Sequence, residues 1–148
     1  MSATNAFETS LLQHIFQNAA IANIGDATGL PASATAGSLH VSLHTADPGE
    51  AGAQNTSEVS YTGYARQAVV RSASGWTVSG NNVSNAAAVA FGPCTAGSAT
   101  ITHFGVGTAA SGAGNLLFKG ALTASISITT SSNATQTFPI GELKVDVD

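Results

Sequence analysis

The feature that most constrains the fold is an alternation of apolar and polar side chains along residues 39–44. Successive side chains of a β-strand point to opposite faces, so this period of two predicts a strand with one buried and one polar face. A long turn follows at residues 43–50, and a return strand is predicted at residues 63–70. Neither face of the return strand is cleanly apolar. We therefore expect it to lie at a rim or an interface.

Short alternating runs recur along the rest of the chain at intervals of roughly ten residues. Turns rich in Gly and Asn separate them, and the turn at residues 80–82 is typical of a hairpin. Strands are predicted at residues 76–78, 99–106, 116–122, 125–130 and 143–147, with 116–122 as a central strand. The pattern predicts a mainly β fold, an antiparallel β-sandwich or jelly-roll-like domain with one N-terminal α-helix.

The N-terminal helix is predicted over residues 5–20, where apolar side chains recur at spacings of three and four. Its apolar stripe consists of Phe7, Leu11, Leu12, Ile15 and Phe16. Asn5 is expected to cap the first turn, and Glu8 three residues later completes a capping-box pattern. The stripe must be covered either by the chain's own sheet or by a neighbouring molecule.

Residues 24–37 have no periodicity and are rich in Gly, Ala, Thr and Pro, which indicates a loop or an extended arm. The chain is accordingly divided into an N-terminal helix and arm, residues 1–37, and a β-sandwich domain, residues 38–148. A chain of 148 residues is long enough to bury one core.

Charged residues make up only 8% of the chain, against about 25% in ordinary proteins. The surface must therefore be built from small polar and apolar side chains, which repel partners weakly. Such a surface suits repeated packing against other subunits, and a neutral secreted domain is the other interpretation. With four Lys and Arg residues and a net charge of -4, the chain has no basic stripe for nucleic acid.

The N-terminal residues lack a positive region and are interrupted by polar side chains, which argues against a signal peptide. Apolar runs are far shorter than the roughly 20 residues that span a bilayer, so no membrane partner is expected. The single cysteine, Cys94, excludes an intramolecular disulfide and is expected to be a small buried side chain. We expect a soluble protein that matures in a cytoplasm.

No group of residues indicates catalysis. His40 and His44 would lie about 13 Å apart along a strand, too far to share a metal ion. The chain has no nucleophile elbow of the G-x-S-x-G type, and its acidic residues are scattered. We expect no enzymatic activity, no cofactor and no catalytic or metal-binding residues.

The long loop at residues 46–62 is the first candidate contact surface, because loops longer than about 12–15 residues are uncommon unless they bind something. Arg66, placed within the return strand, needs an anionic partner, and Asp47, Glu50 and Glu58 are near enough in sequence. A partner across a subunit boundary is the alternative. The candidate interface residues are Phe7, Leu11, Phe16, Asp47, Glu58, Tyr64 and Arg66. A carbohydrate- or receptor-binding module, with Tyr61, Tyr64 and Trp76 as stacking surfaces, is a further interpretation.

Several spaced motifs carry a resemblance to a known family. They are LHTADP at residues 43–48, EV at 58–59, GYARQ at 63–67, THFG at 102–105, GNLL at 114–117 and GAL at 120–122. In this order they resemble a widespread family of small structural proteins of tailed bacteriophages, often labelled tail-fibre-like or head decoration (cement) proteins. The resemblance covers about residues 39–148 and leaves the N-terminal helix and arm outside.

The resemblance implies a non-enzymatic virion protein that is assembled in the host cytoplasm. The favoured interpretation is a capsid decoration protein that clamps neighbouring capsomers, with the major capsid protein or other virion proteins as partners. A structural protein of the tail, neck or tail fibre is the alternative. A homo-oligomer is expected, with a trimer favoured, because in a closed symmetric assembly the same surface patch forms the contact in every copy.

Overall fold

The computed structural model describes residues 2–25, 29–131 and 135–147. Among these residues the chain forms one helix and nine strands. They are α1 (Asn5–Gln17), β1 (Ser38–His44), β2 (Gln67–Val70), β3 (Trp76–Ser79), β4 (Asn82–Asn85), β5 (Val89–Ala90), β6 (Ser98–Gly107), β7 (Leu116–Thr129), β8 (Thr137–Phe138) and β9 (Lys144–Asp146). The predicted fold class, mainly β with antiparallel sheets and an N-terminal helix, is confirmed. The jelly-roll arrangement stays a prediction.

The strands form three sheets. The largest has the order β2-β1-β6-β7, the second has the order β3-β4-β9, and β5 pairs with β8. The hairpin predicted around residues 80–82 is confirmed, since Ser79 pairs with Asn82 across a two-residue turn. The return strand is shorter than predicted. Only residues 67–70 form β2, so Tyr64 and Arg66 lie in the segment before the strand.

Strand β7 differs from its prediction in length and position. The two strands predicted at residues 116–122 and 125–130 are one strand of 14 residues, and it lies at the edge of the sheet rather than at its centre. Its register with β6 shifts in the middle, since Ile101 pairs with Ile126 but His103 pairs with Ala121. The chain in β7 therefore bulges opposite Thr102, which allows one strand to continue where the sequence indicated two.

Strand β1 is buried more completely than its alternation predicts. Leu39, Val41 and Leu43 are buried as expected, but Ser42 and His44 on the other face are also fully buried. The segment that ends the long loop lies against this end of β1, with a β-bridge between His44 and Glu58. Residues 46–62 contain no strand, as predicted.

Helix α1 begins at the predicted residue and ends three residues early. Its N-cap is Thr4, which makes no side-chain capping bond, so the predicted cap at Asn5 is wrong. The helix ends because Asn18 adopts a left-handed conformation, with φ of 55°. The Asn18 side chain then holds Ser33, donating to its carbonyl oxygen at 2.8 Å and accepting from its amide at 2.9 Å. The part of the predicted arm at residues 26–28 lies outside the described residues.

The chain is divided into two compact units. The first combines Met1–Ser38, Val69–Ala88 and Pro139–Asp148, and the second combines Leu39–Ala68 and Val89–Phe138. In the first unit α1 packs on β3 and β4, and its largest fully buried side chains are Trp76, Phe16, Leu12, Leu143 and Val83. In the second unit they include Phe91, Leu43, Ile101, Val41 and Val106. The predicted domain boundary between residues 37 and 38 stays a prediction.

Two glycines in the second unit allow two chain segments to touch through their backbones. A side-chain carbon on Gly63 would collide with the carbonyl oxygen of Pro93, and one on Gly92 would collide with the carbonyl oxygen of Gly63. Gly63 also has a φ of +103°, which L side chains rarely adopt. The crossing fixes the segment that leads from the long loop into Tyr64 and Arg66.

Candidate functional site

Arg66 is the centre of the best-defined polar cluster in the second unit. It is 8% exposed, and its guanidinium group faces Glu58 in a bidentate arrangement, with Nε to Oε1 and Nη2 to Oε2 both at 2.7 Å. Its remaining contacts are to backbone, since Nη1 donates to the carbonyl of Ala109 at 2.9 Å and Nη2 to that of Gly112 at 2.6 Å. The planar fork of arginine suits this arrangement, which lysine could not reproduce.

Tyr64 completes the Arg66 cluster. Its hydroxyl donates to Oε1 of Glu58 at 2.7 Å and accepts the amide of Leu43 at 3.1 Å, while its ring stacks on Phe91. Burial, together with the neighbouring Glu58, raises the pKa of the Tyr64 hydroxyl well above its usual range. The hydrogen bond to Glu58 raises the pKa of Arg66. Tyr64 therefore stays a neutral donor and Arg66 stays a cation.

Gln54 ties the long loop to the loop at residues 108–115. Its side chain is fully buried, donates to the carbonyl of His40 at 2.8 Å and accepts from the amide of Ala109 at 3.2 Å. The backbone of Gln54 adds a bond to Ala113 at 2.8 Å. Together with the Arg66 cluster, these bonds hold both loops in one defined conformation.

A shallow pocket of about 290 Å³ lies at the Arg66 cluster. It is lined by Glu58, Val59, Tyr64, Ala65, Arg66, Ala110, Ser111 and Gly112. The charged groups of Glu58 and Arg66 already bond each other within the chain, so the pocket offers a shaped surface rather than an open charge. Such a surface is suited to packing.

Asp47, one of the three acids considered as partners of Arg66, pairs with a different cation. Asp47 and Glu50 both pair with Lys119 of β7, each with an oxygen 3.0 Å from Nζ. The Asp47 and Glu50 side chains are 53% and 93% exposed, so water screens these pairs. The backbone amide of Gly49 and then Lys119 lower the pKa of Asp47. Of the three acids considered for Arg66, Glu58 is the partner.

The three candidate interface residues of α1 have different environments within the first unit. Phe7 is 41% exposed, Leu11 is half-buried, and Phe16 is fully buried. The rings of Phe16 and Trp76 pack edge to face, with centroids 4.8 Å apart. Phe16 is therefore a core residue, and Phe7 is the member of the set that keeps a large exposed apolar surface.

The proposed stacking surface for a sugar is not supported by the burial of its aromatic residues. Trp76 is 1% exposed and Tyr61 is 4% exposed, so both are core side chains. Only Tyr64 is half-buried, and its hydroxyl is already bonded within the chain. Cys94 is buried as predicted.

Residues that the sequence interpretation missed also organise the two units. Arg71 donates to the carbonyls of His14 and Ile15 at the end of α1, both at 2.6 Å. The scarcity of cationic residues could have drawn attention to Arg71, since the chain has four. Its acceptors are backbone carbonyl oxygens, however, and no sequence motif identifies them. In the second unit His44 is fully buried between Ser42 and Thr56.

Among the described residues, no group of three His, Cys, Asp or Glu side chains is placed to hold a metal ion. His44 lies opposite His103 in the register of β1 and β6, but no Asp or Glu in the described part of the chain completes a metal site with them. The described helix is too short and too polar to span a bilayer.

Comparisons with known proteins identify the family. The model of the family described as Podophage GP4 fiber I protein gp80 matches residues 2–146. The match includes α1, which the resemblance noted in the sequence left outside. Among curated proteins, none matches the chain. Because the family match covers nearly the whole chain, the protein belongs to the Podophage GP4 fiber I protein gp80 family and is a structural protein of the bacteriophage virion.

Proposed function

We propose that the protein is a non-enzymatic component of the phage tail-fibre apparatus that acts by burying its surface against neighbouring virion proteins. The observation that carries this proposal is the match to a fibre protein family over residues 2–146. The low charge supports it, because a surface with 8% charged residues repels a packed neighbour weakly. The role requires no catalytic group.

The pinned loops of the second unit support a packing role. Arg66 and Gln54 hold the loops at residues 46–62 and 108–115 through bonds to Glu58, Ala109 and Gly112. A surface that is already ordered loses little conformational freedom when a partner covers it. These loops are therefore a favourable place for a contact with another virion protein.

Capsid decoration is the second candidate function. It is favoured by the sequence pattern, because residues 1–148 contain neither the repeats nor the coiled-coil heptads that build a fibre shaft. In this role the protein would clamp neighbouring capsomers, and the major capsid protein would be its partner.

Purified phage particles distinguish the two functions. Antibody-gold labelling locates the protein, and quantitative mass spectrometry gives its copy number relative to the major capsid protein. A few copies per particle at the tail are expected for a fibre component. A copy number that follows the capsid lattice would favour decoration, and absence from washed particles would overturn both.

We also propose that the protein forms a homo-oligomer, for which the family resemblance favours a trimer. The exposed edge strand β7 supports contact with further chains, because most of residues 121–127 are exposed and none is charged. Long edge strands of soluble proteins usually carry charges that prevent such pairing. The one charge of β7, on Lys119, is turned towards Asp47 and Glu50.

Lysine substitutions test the contact at β7. Thr123→Lys combined with Ser125→Lys places two charges on the exposed part of the strand, and light scattering coupled to gel filtration measures the oligomer. A shift to monomer is expected. The matched control is Thr77→Lys, at an exposed position of β3, which should leave the oligomer intact. An unchanged oligomer in the β7 variant would show that this edge is not the contact.

A further inference from the structure

His44 has a defined protonation pattern in a fully buried site. Its Nδ1 lies 2.8 Å from the carbonyl oxygen of Thr56, and its Nε2 lies 2.9 Å from the hydroxyl oxygen of Ser42. A carbonyl only accepts, so Nδ1 carries the proton and donates to Thr56. In a neutral ring Nε2 then accepts from the Ser42 hydroxyl. Both ring nitrogens therefore have a hydrogen-bond partner within the protein.

The His44 ring lies against the segment that returns from the long loop to β1, and Thr56 belongs to that segment. Two backbone bonds fasten this segment, from the amide of Thr45 to Ser57 at 2.8 Å and from the amide of Val59 to Leu43 at 3.0 Å. The same segment carries Glu58, the partner of Arg66. The state of the imidazole ring therefore bears on both loops that the Arg66 cluster holds.

The site leaves little room for a charged ring to gain water. Gly105 of β6 faces the ring, and a side-chain carbon there would lie only 2.7 Å from Nε2 of His44 and 2.8 Å from Oγ of Ser42. The same position would lie 2.7 Å from Leu116, so β7 contributes an apolar neighbour. A cation formed in such a site loses hydration that the surrounding groups replace only in part.

We propose that protonation of His44 releases the segment at residues 53–59 from β1, so that mild acid loosens the loop at residues 46–62. Burial is the largest influence and lowers the pKa of His44. Other groups act on the ring in both directions: the hydrogen bond to the Thr56 carbonyl and the charge of Glu58 favour an imidazolium, whereas Arg66 and His103 disfavour it. The inference goes beyond the proposed function and does not depend on where in the virion the protein lies.

The direction of the pH effect follows from the lowered pKa. In the unfolded or opened chain His44 titrates near its ordinary value of about 6.5, and in the closed state it titrates lower. The open state therefore binds the proton more tightly. The stabilisation of the closed state is complete above the ordinary pKa and is lost as the pH falls from there towards the folded pKa.

Hydrogen exchange measured by mass spectrometry on the purified full chain tests the inference. We compare protection factors at about pH 7.5 and about pH 5, a window above the ordinary carboxyl range of about 4. Peptides containing Thr45 and Val59 should lose protection relative to those of β6, by up to about tenfold for each unit of pKa lowering. In His44→Gln, which cannot be protonated, this loss should disappear. The control His14→Gln, in the first unit, should behave like the natural protein.

The results of these measurements decide the proposal. Equal protection at both pH values in the natural protein would overturn it, as would the same acid-induced loss in His44→Gln. If His44→Gln does not fold, NMR of the natural protein replaces it, following the His44 ring and the Val59 amide in one titration. Matching midpoints support the inference, and different midpoints overturn it.

Discussion

Arg66 and Arg71 are five residues apart in the chain, and both bind backbone carbonyl oxygens, but their surroundings differ. Arg66 is nearly fully buried and faces the carboxylate of Glu58 in addition to two carbonyls. Arg71 is half-buried and reaches the carbonyls of His14 and Ile15, with no carboxylate in ion-pair range in the described part of the chain.

The comparison shows how burial decides what a cation requires. A buried guanidinium loses its hydration and needs a full negative charge in its place. A half-buried guanidinium keeps some water, and the carbonyls at a helix C-terminus, which carry about half a negative charge, are sufficient. A chain with four cations thus uses one arginine in each unit as a multiple donor that joins separate segments.

Arg66→Met is expected to lower the free energy of unfolding more than any of the other variants. It leaves the largely buried Glu58 without its partner, which typically costs about 3–5 kcal/mol. Urea unfolding followed by far-ultraviolet circular dichroism measures the change. Lys144→Met, which removes an exposed cation from β9, is the control and should change little. Equal midpoints for the two variants would contradict the importance assigned to burial.

A smaller effect is expected for Arg71→Met. Its acceptors are carbonyls of the last turn of α1 that water can reach once the side chain is removed. The loss of charge-assisted hydrogen bonds is expected to cost about 1.5–3 kcal/mol. Trp76 is the single tryptophan and packs on Phe16 of α1, so its fluorescence during urea unfolding reports on this unit. A loss as large as that of Arg66→Met would remove the distinction between the two arginines.

Lysine at either position keeps the positive charge but lacks the planar guanidinium group with its several donors. Arg66→Lys should lower the free energy of unfolding by about 1–2 kcal/mol, because one ammonium group cannot bond both Glu58 oxygens and two carbonyls at the same time. Arg71→Lys should lose less, since fewer bonds depend on its geometry. The same urea titrations give both values, and the reverse order would contradict this account.

The smallest effect is expected for Lys119→Met. Its partners Asp47 and Glu50 are exposed, and water and salt screen such pairs. No measurable change of the urea midpoint is expected at about 0.15 M salt. A clear loss of stability that disappears at high salt would show that the exposed pairs hold the loop as firmly as Arg66 does.

The sequence predicted what depends on local pattern. The alternation at residues 39–44 and 99–106 located β1 and β6, and the Gly and Asn turn located the β3–β4 hairpin. The proximity of Glu58 to Arg66 placed the correct acid among three candidates. Each of these signals is carried by residues close together in the chain.

What depends on distant segments was missed. The edge position of β7 follows from the pairing order of the sheet, which a single strand does not encode. Ser42 and His44 occupy polar positions of an alternating strand, and the returning loop and Gly105 of β6, both distant in sequence, lie against them. Likewise, the acceptors of Arg71 are backbone oxygens of α1, and every residue type has the same backbone oxygen.

The crossing of Gly63 and Gly92 has a consequence for how the sequence can vary. The obstacle to a side chain at either position is the backbone of another segment, at Pro93 for Gly63 and at Gly63 itself for Gly92. A second substitution elsewhere cannot remove a backbone atom, so no compensating partner exists for a change at either glycine. In a saturation library selected for folded protein, both positions should retain glycine even where the surrounding residues change freely.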